Sequence, residues 1–228
     1  MSDIPPRGAN VPAAPRGAPS RASMVGRWAR LEALEADRHA ADLWLALRGA
    51  ASVWTNMADG PFAEQSSFLA WLRAREKLSD PLVFAVTEQG AGRTLGLLSL
   101  LAIRPEPGVA EVGQVLFSPP LQRTRAATEA IYLIMRRVFD ELAYRRLEWK
   151  CDDLNAASKR AALRFGFRHE GLFRRHMIVK GRNRDTAWYA MIEDEWPSAR
   201  EAMERWLSPD NFDDTGRQRA SLASLRAR

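Results

Sequence analysis

The chain is short of cysteine, of histidine and of long apolar runs, and each shortage removes a class of function. Its one cysteine, Cys151, excludes an intramolecular disulfide and supplies no thiolate cluster. Beside it stand only His39, His169 and His176, scattered along the sequence, so no metal is expected. No stretch reaches the ~18 consecutive apolar residues of a membrane span, and no membrane partner is expected. Met1 to Ser23 is rich in Pro, Ala, Gly and Arg and lacks the apolar core of a secretory signal. It reads as a disordered arm, and the chain as cytoplasmic.

The remaining composition is that of a soluble globular protein, with 46% hydrophobic and 27% charged residues in 228. That length allows one domain, placed at residues 24–208, with the arm before it and a polar, basic tail over 209–228. The net charge of +6 raises the question of nucleic acid. Much of the excess lies in the two ends, at Arg7, Arg16 and Arg21 and at Arg217, Arg219, Arg226 and Arg228. No recognition motif and no aromatic–basic interleaving accompanies it, so no specific nucleic-acid partner is expected.

Hydrophobic periodicity orders the domain. Gly26 to Leu34 reads as an opening strand, followed by a helix capped by Asp37 and running to about Arg48. Trp54 to Pro61 is loop-like, and a second helix spans about Ala63 to Glu76. Leu82–Glu88 and Thr94–Ile103 flank a Gly-containing turn and read as a hairpin. Ala110–Phe117 is a third central strand, stopped by Pro119-Pro120. From Thr124 to Ala143 the apolar residues fall at i, i+3, i+4, marking a core-facing helix. Arg146–Cys151 is strand-like and Asn155–Phe165 helical, with Gly166 as its stop. Phe167–Lys180 and Thr186–Ile192 are further strands, and Pro197–Leu207 is a last helix. This order predicts an α/β (α+β) domain with a mixed sheet.

The segment from Ala110 to Phe167 carries the most chemistry. A strand stops abruptly and feeds a helix whose N-terminus is basic and small-residue-rich, Gln122-Arg123-Thr124-Arg125-Ala126-Ala127. The first amides of a helix lack intrahelical partners and the helix dipole adds partial positive charge there. A phosphate-bearing ligand fits such a site. Taken singly, Pro119-Pro120 ends a strand, Thr124 caps a helix and Gly166 stops one; together they are better explained by a phosphate-bearing ligand.

These motifs, with Asn155-x-x-Ser158, Gly166-Phe167 and Gly181-Arg-Asn-Arg-Asp-Thr-Ala-Trp188, resemble those of the GNAT N-acetyltransferase superfamily over about Gly26 to Pro197. Within it the chain is similar to the Rim-type (RimJ/RimL-like) branch that acetylates ribosomal protein N-termini. The resemblance implies a mostly antiparallel, twisted sheet flanked by helices, acetyl-CoA as co-substrate, and direct attack by a primary amine. It places the pyrophosphate on Gln122, Arg123, Thr124, Arg125, Ala126 and Ala127. Arg125 stands where the family usually has glycine; arginine keeps the helical φ and adds a cationic fork for phosphate. The resemblance further implies that Leu116, Phe117 and Ser118 lend backbone groups to the pantetheine arm at a strand bulge, with Asn155 hydrogen-bonding beside it.

Acetyl transfer needs a neutral amine and a stabilised leaving thiolate. Glu111, eleven residues before Gln122, is the candidate base, and strand alternation puts Glu111, Gly113, Val115 and Phe117 on one face. The alternative is a solvent-exposed residue at a strand start. Where many relatives have a tyrosine acid, this chain has Ala162, and the resemblance leaves Ser158 as a hydroxyl near the CoA sulfur. Cys151 reads as a buried structural residue. Trp54, Phe62 and His176 are candidates for the acceptor pocket, whereas most of the eight tryptophans read as core. The acceptor is a protein N-terminus or a small-molecule amine, and the chain a monomer or homodimer. The rival readings are a catalytically degenerate CoA-binding sensor or scaffold, and a nucleic-acid-binding module driven by the basic ends.

Overall fold

The computed structural model describes residues 8–11 and 16–226. Its strands are β1 (Met24–Val25), β2 (Ala29–Ala33), β3 (Leu82–Glu88), β4 (Thr94–Arg104), β5 (Val109–Phe117), β6 (Arg146–Asp152), β7 (Arg168–Val179) and β8 (Arg182–Ile192). They form one sheet in the order β1-β2-β3-β4-β5-β6-β8-β7, antiparallel throughout except for the parallel pair β5/β6. The helices are α1 (Ala36–Leu47), α2 (Gln65–Glu76), α3 (Arg125–Arg136), α4 (Ala156–Phe165), α5 (Trp196–Leu207) and α6 (Leu222–Arg226). The expected mixed, mostly antiparallel sheet flanked by helices is the architecture found.

The two sheet faces bury different helices. On one, Leu98, Val112, Leu147 and Trp149 pack with Ile131, Ile134 and Val138 from α3 and its wider final turn Arg137–Glu141, with Phe165 of α4 and with Trp196 and Met203 of α5. On the other, Val83, Ala85, Leu97 and Leu116 pack with Leu43 of α1, Phe68 and Leu72 of α2, and Trp54. Where β5 meets β6 this second face carries polar side chains, Glu111, Glu148 and Lys150, in place of an apolar layer.

Helix boundaries follow local chemistry. Thr124 caps α3, its hydroxyl accepting from the Ala127 amide at 3.1 Å. Asn155 caps α4 in the same way through Ser158 N, at 3.0 Å. Gly166 ends α4 with φ +99°, a backbone that glycine adopts without a Cβ penalty. Asp37 corrects the sequence expectation: Glu35 holds the cap position without a side-chain bond, and Asp37 lies in the first turn paired to Arg73.

A second correction concerns β5. Gln114 takes φ +49° and the β4/β5 register shifts between Leu97 and Ser99, so an extra residue interrupts the alternation. Val115 and Phe117 therefore pack with Ala110 and Val112, while Glu111 and Gly113 lie on the opposite face. Gly96 lies beside the end of this strand. A Cβ there would sit 2.8 Å from the Leu116 carbonyl oxygen and 2.9 Å from Leu121. Gly96→Ala is expected to cost about 1–3 kcal/mol, read as a lower urea midpoint with unchanged slope.

The two ends are packed where they are described. Arg16 Nε donates to the Ala143 carbonyl and the Tyr144 hydroxyl to that of Gly17, at 3.1 and 3.0 Å. Residues 1–7 and 12–15 of the expected arm lie outside the described residues, as does Arg228. In the segment expected as a polar tail, Leu222 is buried, and Asn211 Nδ2 bonds the carbonyls of Trp206 and Ala220. That segment folds back on α5 because its few apolar residues find a place there.

Candidate active site

Strands β5 and β6 pair at only three positions, Val109↔Arg146, Ala110↔Leu147 and Glu111↔Glu148. Beyond them β5 stays with β4 as far as Phe117, and β6 stays with β8 as far as Asp152. The two parallel strands thus part into a cleft through the sheet. The bulge at Gln114 turns β5 away, and a chain of polar contacts holds it. Arg75 Nη1 on α2 donates to Gln114 Oε1 at 2.8 Å, and Ser99 Oγ donates to the same oxygen at 3.3 Å. Arg75 is itself fixed by Asp59 at 2.5 Å and by stacking 4.5 Å from the Trp71 ring centroid. Burial works against the Asp59 charge, yet hydrogen bonds from Trp71 and Arg75 outweigh it and hold the carboxyl below its usual range.

On the α3 face, the cleft is flanked by the α3 N-terminus. Arg123 takes φ +62°, and the amides of Arg123, Arg125 and Ala126 have no acceptor among the described residues. They are free to bind an anion beside the positive end of α3. Ser118 is used differently: its amide donates to Leu95, and its carbonyl accepts from Leu121 and Gln122. Gln122 Nε2 folds back on the Phe117 carbonyl at 2.9 Å. The Ser118 hydroxyl is buried with no partner among the described residues. Arg125 keeps the helical backbone expected of it, but its guanidinium is sandwiched 4.1 Å from Trp28 and 4.7 Å from Phe212. The phosphate fork read from sequence is instead a stacked clamp joining α3 to both ends of the domain.

Ser158 and Asn155 share the α3 face. Ser158 Oγ accepts from Trp149 Nε1 at 2.9 Å and lies beside the buried Cys151. Burial pushes the Cys151 thiol up, with only partial relief from Ser158. Glu111 projects from the opposite face, so the two residues expected to share the chemistry are separated by the sheet.

Glu111 is buried, and its Oε2 lies 2.9 Å from Lys150 Nζ. Burial raises its carboxyl above the usual range against the opposing pull of Lys150. The same ammonium reaches Glu148 at 2.9 Å and lies 4.0 Å from the Trp188 ring centroid. Burial also opposes the Glu148 charge, but hydrogen bonds from Lys150 and Arg146 keep its carboxyl low. A buried charge cluster of this kind sits at the vertex of the cleft, where the strands stop pairing.

The fold that carries this arrangement is shared with known proteins. The acetyltransferase (GNAT) domain family matches residues 29–168, and a GCN5-related N-acetyltransferase from Brucella melitensis is 44% identical with a TM-score of 0.92, over 94% of this chain and 98% of that one. The chain belongs to the GNAT acetyltransferase family. It is an acyltransferase of a family that uses acetyl-CoA as co-substrate. A 36% identical stretch of 87 residues is shared with the uncharacterized N-acetyltransferase YnaD of Bacillus subtilis, covering 38% of this chain and half of that protein's length. RimL, a ribosomal L7/L12 α-N-protein acetyltransferase solved in complex with coenzyme A, shares the fold at 22% identity and a TM-score of 0.65, over 76% of this chain and 99% of that one.

Within the GNAT domain the three acceptor candidates fall in different settings. Trp54 is buried in an aromatic cluster, edge-on to Phe62 and Trp71 at 5.4 and 5.5 Å. It is core, and its backbone carbonyl, not its ring, meets the second hairpin, accepting from Lys180 Nζ at 2.8 Å. Phe62 is half-buried at the rim of a pocket with Trp44, Leu47, Pro61 and Phe68. His176 is exposed on β7, bonded through Nδ1 to Thr186 Oγ1 at 3.0 Å. Lys150, Arg75 and Gln114 were not singled out by sequence reasoning. The signal for Lys150 was its strand parity with Glu148, opposite the apolar Leu147, Trp149 and Cys151. Among the described residues no cluster of His, Cys, Asp and Glu has metal-binding geometry, and no helix is long and apolar enough to cross a membrane.

Proposed function

We propose that this chain transfers the acetyl group of acetyl-CoA to a primary amine, a protein N-terminus or a small-molecule amine as in the Rim-type branch, by direct attack. The observation that carries the reading is the two-sided cleft: unpaired α3 amides on one face and a buried carboxylate on the other. The pyrophosphate lies at Arg123, Arg125 and Ala126, and the pantetheine arm runs between Leu116 and Phe117 on β5 and the end of β6, past Asn155. The acceptor approaches the opposite face. There Glu111 takes the proton that keeps an ammonium from attacking.

The α-amine is the better matched acceptor. Its pKa near ~8 leaves about one molecule in ten neutral at pH 7, against roughly one in 2,500 for a lysine ε-amine near ~10.4. A carboxylate base has far less to do in the first case. A panel of amines assayed by thiol release is expected to show faster turnover for peptide α-amines than for ε-amines in otherwise equal peptides. Equal or reversed rates would overturn the α-amine assignment.

The phosphate site has its own test. Arg123 is exposed beside the free amides. Arg123→Glu is expected to weaken acetyl-CoA binding by about tenfold or more through charge repulsion, with the loss shrinking at high salt. Unchanged affinity would place the pyrophosphate elsewhere.

A further inference from the structure

The proton balance of this reaction leaves a donor to be found. The leaving sulfur carries the electron pair of the broken C–S bond and must be neutralised, yet Ser158 has poor acidity and Ala162 stands where a tyrosine would serve. A lysine stands at the vertex of the cleft. Lys150 follows the last paired residue of β6, Glu148, by two positions and so shares its face. Its side chain is largely buried, with 15% exposure, and its ammonium spans from β6 to Glu111 on β5. The Trp188 ring centroid lies 4.0 Å from the ammonium.

The geometry points to Lys150 as the acid that protonates the departing CoA sulfur, working as a unit with Glu111. This rests on the acetyl-transfer reading above and completes its proton cycle. Glu111 takes one proton from the acceptor ammonium, and the neutral amine forms its bond to the thioester carbon. As the C–S bond breaks and its electron pair moves to sulfur, an Nζ–H proton of Lys150 follows it. The proton held by Glu111 then crosses 2.9 Å to Lys150 Nζ. The freed carboxylate takes the second proton from the new amide nitrogen and loses it to solvent. An ammonium and a thioester become an amide, a thiol and one released proton.

Charge around Lys150 is supplied from each neighbouring strand. Glu111 comes from β5, Glu148 from β6 with Arg146 and Arg104 on its far side, and Arg184 of β8 acts on Glu111 at longer range. Lys150 is therefore held in place by carboxylates without being consumed by one, and a thiolate beside it gains a partner.

The titration arm of the test needs CoA alone, and the turnover arm acetyl-CoA with a peptide α-amine. The thiolate absorbance of protein-bound CoA is followed against pH, with the free protein subtracted; the buried Cys151 thiol is pushed up by its own burial and adds little background. In the wild type the bound thiol is expected to ionise about 1 pH unit or more below free CoA, since a cation within hydrogen-bond reach favours the thiolate. Lys150→Met should abolish that difference, and Lys150→Arg should retain it while lowering turnover, because a guanidinium does not give up its proton. A wild-type bound thiol that titrates like free CoA, a measurement that needs no variant, would overturn the proposal and leave the acetyl-transfer reading standing. So would a low-titrating thiol that Lys150→Met leaves unmoved. Failure of CoA to bind would remove the reading itself, and the proposal with it.

Discussion

Replacing Glu111 with glutamine is expected to lower acetyl-CoA turnover by about 10²–10³-fold at neutral pH while acetyl-CoA affinity changes by less than about threefold. The split follows from where the residue lies. Glu111 faces away from the α3 N-terminus, so its loss leaves the phosphate side intact. Glutamine keeps an oxygen for Lys150, so the fold is retained, but it cannot take a proton. The pH dependence has a definite sign. Burial raises the Glu111 carboxyl, and a base works only when deprotonated, so wild-type turnover should fall as pH drops through that raised value. In Glu111→Gln this limb should vanish, leaving only the rise with pH set by the neutral fraction of the acceptor amine. Equal losses in affinity and turnover, or survival of the limb that lies below the acceptor amine's own titration, would remove Glu111 from the base role.

The largest stability effect is expected at Glu129. This glutamate of α3 is buried and accepts three backbone amides, Arg27 at 2.9 Å, Trp28 at 2.5 Å and Ala29 at 2.7 Å. Those amides lie where β1 turns into β2, so a single carboxylate ties the start of the sheet to α3, whose N-terminus is the proposed phosphate site. Glu129→Ala leaves the amides without that acceptor. Each unsatisfied buried donor costs ~1–3 kcal/mol, and partial access to water for Arg27 and Trp28 brings the expected total to about 4 kcal/mol. For a domain of this size that corresponds to a Tm roughly 8–16 °C lower. Glu129→Gln keeps one acceptor oxygen but turns an amide donor toward a donor, and is expected to fall between the two. A Tm within about 2 °C of wild type for Glu129→Ala would show that the turn holds itself.

Both predictions depend on contacts that sequence patterns express unevenly. The hairpin of β3 and β4 was legible because apolar runs flank a Gly-containing turn, and α3 because its apolar residues recur at helical spacing behind a threonine cap. A mixed sheet was legible from the order of strands and helices. The bulge at Gln114 was not legible, since a non-glycine residue holds φ +49° there and the residue bonded to its side chain, Arg75, is remote in sequence. Strand alternation consequently misplaced Val115 and Phe117 relative to Glu111. Glu129 resembles any charged residue on an amphipathic helix until the β1–β2 turn is brought against it. The C-terminal segment is polar on average, and that average conceals Phe212 and Leu222, which carry its packing. Arg125 takes the helical backbone expected of it, but its side chain answers to Trp28 and Phe212, residues far from it in sequence.

The candidate site was legible as a set of motifs and not as a machine. Gln122 to Ala127, Asn155 and Ser158 point to a CoA-type ligand through their resemblance to the family's motifs. Their division between two faces depends on the register of three paired residues between β5 and β6. That register also puts Lys150 beside Glu111, a juxtaposition with no linear signature beyond strand parity.

Calorimetric titration of the full chain with acetyl-CoA tests the central claim most directly. Micromolar one-to-one binding, a dissociation free energy of about 8 kcal/mol, is the result expected, together with a marked loss of affinity in Arg123→Glu and none in Glu111→Gln. Absence of binding by the wild-type chain would contradict the claim that the parted strands and the open α3 N-terminus form an acetyl-CoA site.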